Sequence, residues 1–243
     1  MNYYEYIAID ADDQTIACHP LIDACDARIL FEVIRHLGFD LSGRNALDVG
    51  AGTGQVSRLL LGLPSLTVEA LDSDPEAQRY FAHHPELGSV RFHVREVIRD
   101  GLPQHYDLVV ARGVYHHIPK KDRPAFLRAL CTRSQLTIIA DEGLLEYSSA
   151  DERVRRCDTW YGYVIGEARR RGLNRLAEME ARFLEHERLS TADDGLDFKE
   201  SPQHLLEDAG LADLAEPRVE RLGPWQTHGG GFFVAVFVPQ ASR

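Results

Sequence analysis

The stretch Leu47-Asp48-Val49-Gly50-Ala51-Gly52-Thr53-Gly54 decides how the rest of the chain is read. On its N-terminal side, residues 45–49 form a short apolar run with the length of a buried strand. On its C-terminal side, Val56, Leu59, Leu60 and Leu63 fall on one helical face. A strand that turns sharply into a helix through glycines lets a ligand approach backbone N–H groups, because glycine has no Cβ to obstruct it. A bare glycine run also serves as a plain tight turn, but two acids narrow the reading. Asp48 precedes the turn, and Asp72 ends the next apolar run, where a carboxylate reaches ribose hydroxyls in the dinucleotide-binding arrangement. The spacing here is G-x-G-x-G, however, and not the G-x-G-x-x-G of that arrangement.

Outward from this turn the chain alternates. Residues 66–71 read as a second strand, Pro75 opens a helix, and residues 90–94 form a third strand. Residues 106–111 are a continuous apolar run, typical of a strand covered on both faces. A helix over 122–130 and a fifth strand over 136–140 follow. Upstream, Leu21, Ile22, Cys25, Ile29, Leu30, Val33, Ile34 and Leu37 keep helical spacing until Gly38 stops it. Five strands separated by helices argue for a doubly wound, mainly parallel α/β sheet.

The alternation breaks near Ser148. Residues 151–189 are charged and helical, with Val154, Cys157, Tyr161, Val164, Ile165 and Ala168 on one face. Leu173, Leu176, Met179, Phe183 and Leu184 continue that pattern after Gly172, so a helical insertion of at least two helices is expected. Ser201-Pro202 caps one more helix ending at Gly210, and strands over 218–222 and 231–238 close the chain around a glycine-rich loop. The first twenty residues, with Tyr3, Tyr4 and Tyr6, read as a small hairpin or an extended arm.

Composition excludes several function classes. With 38 acidic and 27 basic side chains the net charge is -11, which disfavours affinity gained by neutralising phosphates. Hydrophobic residues make up 44%, too many for a disordered chain. No apolar run approaches the ~18 residues of a spanning helix, and an N-terminus with Glu5, Asp10 and no basic residue is unlike a signal peptide. Cys18, Cys25, Cys131 and Cys157 form no C-x-x-C pair and no zinc-site spacing with histidine, so reduced thiols and no metal site are expected. Together these features point to a cytoplasmic protein.

Four motifs in order resemble those of the class I S-adenosylmethionine-dependent methyltransferases. They are residues 47–54, Ala70-Leu71-Asp72-Ser73-Asp74-Pro75, Tyr106-Asp107-Leu108-Val109-Val110-Ala111, and Val114-Tyr115-His116-His117-Ile118-Pro119. The resemblance covers residues 30–145 well. It implies a doubly wound, Rossmann-like seven-stranded methyltransferase sheet with a helical insertion after the fifth strand. A single domain would span 1–243, with 1–20 as an arm or lid and 148–192 over the acceptor pocket. The implied cofactor is S-adenosyl-L-methionine. Gly50, Gly52 and Gly54 would lie under its methionine portion, Asp48 near its ammonium group and Asp72 on both ribose hydroxyls. Glu96 and Val97 would stand at the adenine, and Arg112 would offer backbone contacts to the methionine portion. For Asp48 and Asp72, the alternative role is capping the helices that follow.

Methyl transfer from a sulfonium draws its activation from the cofactor, so the protein mainly positions a nucleophile about 3 Å from the methyl carbon. A base is needed only where the acceptor is protonated. His117, past the fourth strand, and Glu142 and Glu146, past the fifth, are the expected catalytic residues, with Tyr115, His116 and Asp141 on the same edge. Trp160, Tyr161 and Tyr163 form either an aromatic acceptor wall or core, and His228 reads as part of a surface loop. Tyr3-Tyr4-x-Tyr6 and Asp23-x-x-x-x-Arg28 resemble the N-terminal segment of protein arginine methyltransferases. The paired glutamates those enzymes carry after the fourth strand are replaced here by residues 112–117, which argues against a guanidine acceptor.

The expected activity is methyl transfer to an N or O atom of a small molecule, specialised metabolism being one setting for it. The alternatives are transfer to a protein or RNA through a partner, and a non-catalytic S-adenosylmethionine-binding protein. The expected partner is a small-molecule acceptor, with no nucleic acid and no membrane, and a homodimer is left open.

Overall fold

Strand alternation builds a sheet with two apolar faces. The computed structural model describes residues 18–189 and 198–238, so the expected arm with Tyr3, Tyr4 and Tyr6 lies outside the described residues. In chain order the main elements begin with α1 (Ile22–Leu37), β1 (Asn45–Val49), α2 (Gln55–Leu61), β2 (Thr67–Asp72), α3 (Pro75–His83), β3 (Arg91–Val94) and β4 (Tyr106–Arg112). They continue with α4 (Arg123–Cys131), β5 (Ser134–Leu144), α5 (Ala150–Arg170), α6 (Asn174–Leu189), α7 (Pro202–Leu211), β6 (Arg218–Leu222) and β7 (Gly230–Phe237). Successive side chains of a strand point to opposite faces. Ala46, Leu108 and Val110 therefore meet α1, α2 and α3, while Leu47, Val49, Val109 and Ala111 meet α4 and α7. Neither face is left to water, which is why β4 reads as an unbroken apolar run.

The strand order is β3-β2-β1-β4-β5-β7-β6, parallel throughout except for β7, which runs antiparallel to β5 and β6. Between β1 and β4 the winding reverses, and in such sheets the ligand crevice lies outside the carboxyl ends of the strands at that point. Local signals set the helix starts. Asp74 accepts the Glu76 N–H (2.8 Å) ahead of Pro75, and Ser201 accepts the Gln203 N–H (3.2 Å) ahead of Pro202.

One extension of the sequence reading and one choice it left open have a tertiary cause. Strand β5 runs on to Leu144 because β7 pairs with it there, Asp141 opposite Phe233 and Glu142 opposite Phe232. Asp141 and Glu142, expected in a loop after the strand, are thus held by a ladder. Trp160 and Tyr161 are fully buried in a cluster with Cys157, Val164 and Leu144 at the α5–β5 contact, so they are core and do not line an acceptor wall. The fit is close: a Cβ added at Gly230 would lie 2.9 Å from Trp160 Cγ, so a side chain there would displace the indole.

Candidate active site

A cavity of about 560 Å³ opens along the carboxyl edge of the sheet. At one end lies the turn after β1, where Gly50, Gly52 and Gly54 all have positive φ (66°, 50° and 79°). The turn is pinned from β2: the N–H groups of Gly50 and Ala51 donate to the Leu71 carbonyl (2.8 and 3.1 Å), and the Gly52 N–H donates to Asp72 Oδ2 (2.9 Å). Asp72 Oδ1 accepts the Asp74 N–H (2.9 Å), so one carboxylate ties the turns after β1 and β2 together while facing the cavity. Burial raises its pKa, partly offset by those two N–H donors. Asp48 is almost fully buried at the same end and accepts the Ser57 hydroxyl (2.7 Å). Burial pushes its carboxyl up to about 6 despite that bond, and because Ser57 lies in the first turn of α2 the bond ties the end of β1 to the start of that helix.

Other expected residues fall into place less completely. Gly54 is not in the cavity wall; a Cβ there would lie 2.7 Å from Leu87 Cδ1, so its smallness serves the packing of α2 against Phe81 and Leu87. Glu96 and Val97 do line the cavity. Both Glu96 oxygens, however, accept backbone N–H groups of a one-turn helix, Ile98 at 3.0 Å and Arg99 at 2.9 Å. Arg112 pairs with Asp26 and donates to Gln55 Oε1 (2.5 Å), so its side chain ties α1 and α2 to the end of β4.

The other end of the cavity is built by longer-range contacts. Asp141, 1% exposed, accepts from His116 twice, at the ring Nδ1 (2.6 Å) and the backbone N–H (3.1 Å), and once from the Glu142 N–H (2.8 Å). Burial alone would raise the Asp141 carboxyl, yet the facing His116 holds it below the usual range. Glu142 lies 3.2 Å from His19 Nε2 and 3.3 Å from Lys199 Nζ. Lys199 also donates to Tyr161 Oη (2.6 Å) and lies 3.3 Å from Glu187, which pairs in turn with Arg153. Met179, Glu180 and Phe183 of α6 complete this end of the wall.

Of the three expected catalytic residues, His117 and Glu142 line the cavity and Glu146 does not. Glu146 is exposed and paired with Arg221, because the chain leaves the sheet edge after Leu144. His228 stacks on Tyr163, with ring centroids 4.4 Å apart, at the end of a one-turn helix away from the cavity wall. Sequence reasoning passed over His19, Glu180 and Lys199. The one available signal for Lys199 was its rarity, as one of only three lysines in the chain.

Residues 46–133 match a family model described as Methyltransferase domain, the segment that holds the glycine turn, Asp72 and the two histidines. This segment is a methyltransferase domain. No curated protein matches the sequence. Among solved structures this methyltransferase is similar to DhpI in complex with SAH, at 18% identity and a TM-score of 0.60 over 99% of this chain and 95% of that one. PigF with SAH gives 16% and 0.54 over 80% and 50%, and the mitomycin 7-O-methyltransferase MmcR gives 17% and 0.53 over 87% and 57%. At such identities the likeness carries the fold. The chain spans about half the length of PigF and of MmcR, and nearly all of DhpI. Among the described residues, no helix is long and apolar enough to cross a membrane.

Proposed function

We propose that this methyltransferase moves the methyl group of S-adenosylmethionine to an O or N atom of a small molecule. The observation that carries the reading is the continuity of the cavity. It runs from the glycine turn and Asp72 to His116, Glu142, Lys199 and Phe183 in one enclosure, within the roughly 300–1,000 Å³ usual for small-molecule sites.

The donor set suits the cofactor. The buried Asp48 carboxylate, held up to about 6, is short of counter-charge, and the ammonium group of the methionine portion would supply it. Asp72 would accept from the ribose hydroxyls with lone pairs not used by Gly52 and Asp74. Gly50 and Gly52 would leave room for the methionine portion, Val97 would pack at the adenine, and Arg112 would contribute backbone. The bound cofactor supplies an electrophilic methyl group on a sulfonium; the chain positions an acceptor against it and excludes water. Met179, Glu180 and Phe183 support a roof over the acceptor end built by the helices between β5 and α7. Glu142, Glu180 and Asp141 line this end of the cavity together with Lys199, a surplus of acid that favours a neutral or cationic acceptor.

The test has two stages. Calorimetry with S-adenosylmethionine and SAH reads cofactor binding, and methyl-labelled cofactor is then incubated with a cell extract separated into small-molecule and polymer fractions. Label in the small-molecule fraction is expected. Label confined to protein or RNA would move the acceptor to a macromolecule, and binding without any transfer would leave a non-catalytic binding protein.

A further inference from the structure

We propose that His116, oriented by Asp141, takes the proton of a hydroxyl acceptor as the methyl group arrives, so that the methylated atom is oxygen. This rests on the methyltransferase reading above and adds the residue and the acceptor class. His116 sits in the 3-10 turn Tyr115–His117 just past β4, and Asp141 stands on the neighbouring strand β5. The two are separated by 25 positions in sequence and joined in space by two contacts to one carboxylate. Their side chains are 11% and 1% exposed, and both line the cavity.

The hydrogen bonds assign the proton. Asp141 accepts from three nitrogens at 2.6, 3.1 and 2.8 Å, a set suited to an ionised carboxylate. An ionised carboxylate can only accept, so His116 Nδ1 carries the hydrogen. A neutral imidazole has one N–H, which makes Nε2 the basic nitrogen. The carboxylate also favours the imidazolium that forms when Nε2 takes a proton. Main chain and ring are clamped by the same group, and the Phe198 N–H holds the His116 carbonyl from the other side (3.3 Å). His117 stacks beside it, with ring centroids 4.0 Å apart.

The other groups at this end fit the role less well. His19 Nδ1 accepts the Leu21 N–H (3.2 Å), so its neutral ring carries the hydrogen on Nε2 and presents a donor. Glu142 lies between His19 and Lys199, 3.2 and 3.3 Å away, so its two oxygens are already engaged by those groups. In the reaction an acceptor oxygen lone pair forms the new O–C bond, and the C–S electron pair stays with sulfur as a neutral thioether. The O–H proton passes to His116 Nε2, leaving its electrons on oxygen, and solvent later removes it.

The experiment reads the tautomer and the acceptor dependence separately. Histidine-selective ¹⁵N NMR on the full chain, with and without SAH, is expected to show His116 with its hydrogen on Nδ1 and an unprotonated Nε2. In Asp141→Asn that fixed tautomer is lost. An Nε2–H tautomer in the wild-type chain overturns the proposal. Phenol and para-nitrophenol, the latter already ionised at the assay pH, then serve as probe acceptors. His116→Ala is expected to lower phenol methylation by about 10²–10⁴-fold and nitrophenolate methylation by less than about tenfold. Its SAH affinity should stay within about threefold of wild type. Equal losses for the two acceptors, or methylation by the wild type of an added aniline but of neither phenol, overturn it. Failure to bind S-adenosylmethionine or SAH would instead overturn the methyltransferase reading, because the tautomer is read without ligand as well.

Discussion

Replacing Asp48 by Asn should make the apo protein more stable and its cofactor binding weaker. The carboxyl is buried and its folded pKa is raised from 3.8 to about 6, chiefly by desolvation. Between those values the folded state binds more protons than the unfolded state, so stability falls as pH rises through this window and the whole penalty is present above it. A difference of about 2.2 units at 1.36 kcal/mol each puts that penalty at about 3 kcal/mol near neutral pH and about half of it at pH 5. Asparagine resembles the protonated carboxyl and can still accept the Ser57 hydroxyl, but its amide hydrogens need partners in a buried site. Allowing for that, a net gain of about 1–2 kcal/mol at pH 7.5, shrinking towards pH 5, is expected. Urea unfolding at the two pH values measures it. Calorimetry should show SAH binding weakened by about 10–100-fold, since the carboxylate would no longer face the ammonium group. A variant less stable than wild type at pH 7.5, or one that keeps the wild-type pH dependence and SAH affinity, would refute the reasoning.

Three further outcomes are expected. Asp72→Ala removes the acceptor that pins Gly52 and Asp74 and would hold the ribose, so SAH binding should weaken by roughly 3 kcal/mol; unchanged affinity would contradict this placement. Arg153→Met removes the guanidinium from the buried Glu187 carboxylate but leaves Lys199 beside it, so it should cost about 2–3 kcal/mol in chemical denaturation, less than a fully broken buried pair; a variant as stable as wild type would be the contrary result. Glu146→Gln weakens an exposed pair with Arg221, so stability should change by less than about 1 kcal/mol and methyl transfer should be unaffected. A tenfold loss of activity there would return Glu146 to the site.

The amino-acid sequence by itself determined the parts that depend on neighbouring residues. The strand–glycine–helix turn at 45–61, Asp72 at the end of β2, the covered run of β4, the helix start at Pro75 and the cap at Ser201 all carry their signal within a few positions. Turn geometry, strand burial and capping are short-range physics, and these elements formed where they were expected. Tertiary structure alone decided which residue of a local pair does what. His116 and His117 are adjacent and chemically alike, and only the arrival of Asp141 on the next strand separates them. Gly54 matches the turn motif yet packs against Leu87, Trp160 and Tyr161 became core, and Glu146 left the sheet edge. Lys199 reached Glu142 and Glu187 because α5, α6 and β5 converge on it. Such contacts join segments far apart in the chain. Their energies depend on burial and distance, and no pattern of adjacent residues encodes either.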